Sequence, residues 1–245
     1  EILHCLPKTA WPPTYESVFC ARPTEHPYQV SNWSEMKDYY DPNDVIRAAA
    51  MMVSVSDQFK GNNNFEYDLV DIVRQAIAEK GRLTEKVVEA AFAAGDKKLY
   101  KDASDRFLRL ILLQDELLAT RPEFKVGTWI ARARSLGNTS EEKDLYEWNA
   151  RVQITTWGNR LAADEGGLRD YAHREWNGIL KDFYYMRWKT WFDYQTRLLD
   201  GKKTAAIDFY AIEEPWTKQT NPYSNEPEGD CIPTVQRIFA EIFGK

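Results

Sequence analysis

From residue 41 onward, hydrophobic and polar positions recur at helical spacing. Leu69, Ile72, Val73, Ala76 and Ile77 fall at i, i+3, i+4, i+7 and i+8, the apolar stripe of a core-facing helix. That helix starts near Phe65, after Gly61-Asn62-Asn63-Asn64, and its pattern resumes past Gly81 through Val87, Val88, Ala91 and Phe92 until Gly95. Ahead of it, Asp41-Pro42 predicts a helix start, with Asp as cap and Pro in the first turn, where its missing N–H costs nothing. This first helix is expected to run through Ile46, Ala49, Ala50 and Val53 to about Phe59. A third spans Asp96 to about Thr120, with Leu99, Ala103, Phe107, Leu110, Ile111 and Leu117 on one face and Pro122 just beyond its end.

A short helix over Val126–Ser135 stops at Gly137. Thr139-Ser140-Glu141-Glu142 then offers a cap followed by acids, predicting a helix to about Thr155. The pattern breaks between Trp157 and Tyr171, and returns through Trp176, Ile179, Leu180, Phe183, Trp188, Trp191 and Leu198 up to Gly201. Residues 204–219 predict another helix, Asn221–Gly229 a turn, and Val235, Ile238, Phe239 and Ile242 a final amphipathic helix. Residues 1–40 hold five of the eleven prolines and little helical period, so they predict an extended connector with a short strand around Ser17–Cys20. Strand and helix do not alternate, and no fixed repeat is found. The expected fold is therefore all-α: a single helical bundle domain over 41–245, preceded by an extended connector over 1–40.

Composition narrows the function. No run of about 18 apolar residues exists, which excludes a transmembrane helix. The net charge of −6 is spread along the chain, which argues against nucleic acid as a partner. Three cysteines (Cys5, Cys20 and Cys231) lack metal-ligand spacing, and buried free thiols are expected, with a Cys5–Cys20 bridge as the alternative. No structural zinc site and no cofactor is expected. The chain begins Glu1-Ile2-Leu3-His4, as expected of a piece of a longer or processed protein.

Catalytic chemistry is not evident. Sugar hydrolysis usually needs two carboxylates across the scissile bond. The adjacent acids Glu141/Glu142, Asp164/Glu165 and Glu213/Glu214 all read as solvated helix ends or loops. There is no nucleophile elbow, zinc-protease motif, P-loop or dinucleotide fingerprint. His173 is expected to cap or face solvent near the start of the helix after the loop. Arg151, Arg160, Arg169 and Arg174 read as surface charge, or as a docking face for an acidic partner.

The aromatics are numerous, with nine Trp, thirteen Tyr and eleven Phe. Most serve as core bulk; others suit sugar-stacking walls. Trp157 stands out, because it follows a helix and precedes Gly158, where a chain can turn sharply. Loops that carry Trp, Tyr and carboxylate on a rigid scaffold are frequent binding elements.

Several segments, in order, resemble the C-terminal helical domain of the α-N-acetylglucosaminidases, glycoside hydrolase family 89. They are Glu16-Ser17, Ala21-Arg22-Pro23, the run Tyr67–Ala76, Tyr146–Arg151, Thr156-Trp157-Gly158, Asp170-Tyr171-Ala172, Tyr184–Trp188 and Gly229-Asp230. The resemblance covers most of residues 15–243. It implies an exo-acting, retaining parent enzyme that removes terminal α-linked N-acetylglucosamine, secreted, periplasmic or lysosomal. The two catalytic glutamates then belong to an upstream (β/α)8 barrel, so this chain holds no catalytic residue and is inactive alone. Carried over position by position, Trp157, Leu168 and Tyr171 correspond to substrate-binding wall residues. The sequence departs from mammalian members in a longer Trp157–Tyr171 span, with Ala162–Gly167 as the added length. The competing classes are a stand-alone helical carbohydrate-binding or adaptor module, and a structural scaffold whose aromatics are all core.

Overall fold

The computed structural model describes residues 17–23, 40–165, 167–220 and 222–244. Cys5 therefore lies outside the described residues, as does most of the predicted connector; Cys20 and Cys231 are buried thiols. Among the described residues the secondary structure is helical throughout, confirming the all-α expectation. Helix α1 (Pro42–Val55) starts where the sequence places it, with the Asp41 side chain accepting from the Asn43 N–H. A 3-10 turn over Ser56–Phe59 replaces its expected last turn.

Helix α2 (Asn63–Ala94) is one continuous rod through Gly81, ended by Gly95 at φ +68°. Gly81 is not a break because it is a contact point. A Cβ there would stand 2.6 Å from the ring of Phe19, so only glycine admits this close approach. Phe19 belongs to a 3-10 turn, Val18–Cys20, capped by the Ser17 hydroxyl and fully buried. The expected strand at Ser17–Cys20 is thus corrected to a 3-10 turn. No strand is present among the described residues to pair with it, and a tight turn satisfies its backbone locally.

Helix α3 (Lys97–Ala119) packs along α2. Helix α4 (Val126–Arg134) leads to α5 (Ser140–Gln153), which opens with the expected capping box between Thr139 and Glu142. After the loop, a π-helical turn at Leu180–Tyr184 feeds α6 (Tyr185–Leu199). Then come α7 (Phe209–Thr217) and α8 (Cys231–Phe243). The predicted helix over 204–219 is shorter than expected, because Asp208 rather than Thr204 caps it, accepting from the Ala211 N–H.

The core centres on an aromatic cluster where the 3-10 turn, α3 and α6 meet. Phe107 lies 5.3 Å from Phe19, 4.5 Å from Trp188 and 5.5 Å from Phe192, centroid to centroid. Most of the aromatics are therefore core. No described helix is long and apolar enough to cross a membrane.

Candidate functional site

The irregular stretch between α5 and the π turn ahead of α6 is the most strained part of the chain. Among the described residues, three non-glycine residues have positive φ, and all are here: Trp157 (+63°), Asp170 (+58°) and His173 (+43°). Such conformations cost about 1–3 kcal/mol each and persist only where the surroundings over-determine them. The left-handed turn falls on Trp157 itself rather than on Gly158, which does not have positive φ. Gly158 instead permits close approach, since a Cβ there would stand 3.0 Å from that of Ala162.

The over-determination can be traced bond by bond. The Trp157 N–H reaches back to the Val152 carbonyl at 2.7 Å, closing the end of α5. The Asp170 N–H donates to the Thr155 carbonyl at 2.8 Å, so the two ends of the loop are joined, as in an Ω loop. Within it, Leu161–Glu165 forms a π-helical turn, with the Ala162 N–H donating to the Asn159 side chain. Within the added length, Ala162–Glu165 is thus helical.

Beneath the loop runs a chain of buried ions. Both guanidinium arms of Arg187 donate to Asp170, each at 2.9 Å, and one also donates to the Cys20 carbonyl at 3.1 Å. The Arg187 Nε lies 3.0 Å from Glu213 Oε1, an ion pair whose angle falls outside hydrogen-bond geometry. Arg22 clamps Glu213 from the other side at 3.0 and 2.5 Å, and its remaining arm reaches Asp164 of the loop at 2.7 Å. At the exposed end of this chain Arg160 pairs with Asp208, the cap of α7, at 2.7 Å, with its guanidinium over the Tyr210 ring. Burial lowers the proton affinity of Arg187, but Asp170 and Glu213 outweigh it and raise the pKa above the usual arginine value. Arg187 therefore stays charged and the clamp stays closed.

Several sequence expectations change here. Glu213 is not solvated: it is 0% exposed and neutralised by two arginines. Arg151 is no surface charge either, being buried against Glu147 at 2.7 Å and under the Trp216 ring, so it cannot dock an outside partner. His173 sits in irregular backbone ahead of α6, not on a helix. Arg22, Asp170, Arg187 and Glu213 were missed as a group. Three of the four stood inside the resembling motifs, but periodicity does not reveal which distant partner a charge will meet.

The clamp presents two half-exposed rings. Trp157 is 39% and Tyr171 57% exposed, with ring centroids 5.2 Å apart and planes tilted by 51°. Leu168, half-buried, joins them through the backbone, its carbonyl accepting from the Tyr171 N–H at 3.3 Å. Two cavities of the domain lie elsewhere, one between α2 and α6 and one beside α3, and neither is lined by Trp157 or Tyr171. The two rings together form an aromatic wall. Asp170 and Glu213 are held by guanidinium groups, so neither is available as an acid, base or nucleophile. The arrangement can hold the apolar face of a ligand and fix its orientation.

Comparison with known proteins gives the family of the domain. The family model for the "Alpha-N-acetylglucosaminidase (NAGLU) C-terminal domain" matches residues 5–241. Human alpha-N-acetylglucosaminidase is 26% identical over 215 residues, covering 84% of this chain and 28% of its own length. A family 89 glycoside hydrolase from Clostridium perfringens, in complex with PUGNAc, superposes with a TM-score of 0.87 at 36% identity, covering 93% of this chain and 26% of that one. A variant of that hydrolase in complex with its substrate GlcNAc-α-1,4-galactose gives 0.86 at 36% identity, with 92% and 26% covered. The chain therefore spans about a quarter of the length of these relatives. With the family model matched over nearly its whole length, the chain belongs to the α-N-acetylglucosaminidase C-terminal domain family.

Proposed function

We propose that this chain is the helical domain of a longer, exo-acting, retaining α-N-acetylglucosaminidase. In this reading residues 1–40 connect it to a catalytic (β/α)8 barrel, against which the helical domain over 41–245 packs. The barrel supplies two glutamates, one as nucleophile and one as acid/base, for a double displacement at the anomeric carbon. Trp157, Leu168 and Tyr171 supply the facing wall of the pocket for a terminal α-linked N-acetylglucosamine. Their work is positional: an apolar face against the sugar ring and a phenol for hydrogen bonding hold it in register with the glutamates. Such fixing contributes to rate without any proton transfer by this chain.

The observation that carries the reading is the loop itself. Left-handed backbone at Trp157 and Asp170, a closed loop and a buried ion clamp all serve to hold two partly exposed rings in one geometry. A scaffold whose aromatics were all core would have no reason to hold them outside it.

The test is kcat/KM of the full-length protein on an aryl α-N-acetylglucosaminide, wild type beside Trp157→Ala. The expected outcome is a loss of about tenfold to a hundredfold with an unchanged melting temperature. An undiminished mutant would return the loop to scaffolding. An inactive wild type would favour a binding module without catalysis.

A further inference from the structure

A second site lies away from the loop, between α2 and α6. Seven carboxylates are buried among the described residues: Glu79, Glu85, Asp115, Glu147, Asp170, Glu175 and Glu213. Five of them are met by an arginine: Glu79 by Arg82, Glu147 by Arg151, Asp170 by Arg187, Glu175 by Arg74 and Glu213 by Arg22. Asp115 is met by the Gly178 and Lys181 N–H groups and the Asn177 amide. Glu85 is the exception. It is 7% exposed, its Oε2 has no hydrogen-bond partner, and no arginine or lysine among the described residues forms an ion pair with it. An unmatched buried carboxylate costs several kcal/mol, so the break in the rule calls for an explanation.

Glu85 opens onto a cavity of about 450 Å³. Its neighbour one turn on, Glu89, lines the same wall; Val88, Phe92, Trp191 and Phe192 supply apolar surface, Tyr194 and Gln195 also line it, and no basic residue is among the described lining. Trp191 stacks on Tyr194 at 5.5 Å, which stiffens that wall. Burial first, and then the Glu89 charge and hydrogen bond, push the Glu85 carboxyl up to about 9, with Lys86 pulling weakly the other way. Burial thus favours the protonated form of Glu85.

We propose that this cavity is a binding site for one organic cation, a guanidinium or ammonium group on an apolar shaft. The head would pair with Glu85 and Glu89, and the shaft would lie along Phe92 and Trp191. Aromatic walls favour such heads over neutral ones, by cation–π attraction. A free small amine and an Arg or Lys side chain from the rest of the longer protein share this chemistry. The site is independent of the Trp157 wall.

The experiment is calorimetric titration of the full-length protein with n-butylguanidinium, with n-butylurea as neutral isostere, in wild type and Glu85→Gln. Melting temperatures of both forms are recorded alongside. Binding of the cation but not the urea, weakened about tenfold or more by Glu85→Gln, establishes a free-cation site. No binding together with a melting temperature several degrees lower in Glu85→Gln establishes that the protein's own side chain fills it, since a buried pair has been broken. No binding with an unchanged or raised melting temperature overturns the proposal, as does equal binding of the urea.

Discussion

Replacing Asp170 by Asn isolates the charge of the clamp from its shape. Asn is nearly isosteric and, with Asp, is among the residues that best tolerate left-handed backbone, so φ +58° costs it little extra. What changes is the contact with Arg187. Two bonds of 2.9 Å to a carboxylate become one to an uncharged amide oxygen, and an amide N–H is turned towards a guanidinium N–H. Arg187 is 0% exposed, so it cannot recover its loss from water. Removing one member of a buried pair costs about 3–5 kcal/mol. Arg187 keeps Glu213 and the Cys20 carbonyl, which places the cost near the lower limit, about 3 kcal/mol. For a chain of this size that is a fall in melting temperature of about 6–12 °C. Thermal unfolding of the 245-residue chain, followed by circular dichroism, reads it directly. A fall of less than about 2 °C would mean the Asp170–Arg187 pair is not what fixes the loop.

Other outcomes follow from the same geometry. At position 157, glycine should be more stable than alanine by about 1 kcal/mol in chemical denaturation, because only the Cβ suffers at positive φ; equal stabilities would refute the strain. Glu85 has its folded pKa raised from 4.5 to about 9, so its folded form holds a proton that the unfolded chain releases. The stability linked to it is full below pH about 4.5 and is lost as pH rises towards about 9; Glu85→Gln should flatten that decline in denaturant midpoints measured across the range. The 245-residue chain alone should show no turnover of an aryl α-N-acetylglucosaminide; turnover would mean the reacting groups lie within it.

The helices were readable because their determinants are local. Asp41-Pro42, Thr139 with Glu142, and Gly95 each act within one turn, and each stands at the expected boundary. Where the reading failed, the deciding contact was distant. That Gly81 is where α2 meets Phe19, some sixty residues earlier in the chain, is a contact no local pattern announces. The burial of Glu213 depends on Arg22, 191 positions away. Trp157 and Tyr171 could be picked out because aromatics beside a glycine-bearing break in period are conspicuous. Their support could not, since nothing in the spacing of Arg187 or Asp170 announces that they meet. Glu85 looks like any other position on an amphipathic helix, and only the folded structure shows it buried at the edge of a cavity shared with α6.

The most direct test of the pocket-wall account is a crystal structure of the full-length protein with N-acetylglucosamine bound. The account predicts the Trp157 and Tyr171 rings against the sugar, at carbon–carbon distances of about 4 Å, with the Asp170–Arg187 pair intact beneath them. A sugar bound in the barrel with both rings turned to solvent would contradict it.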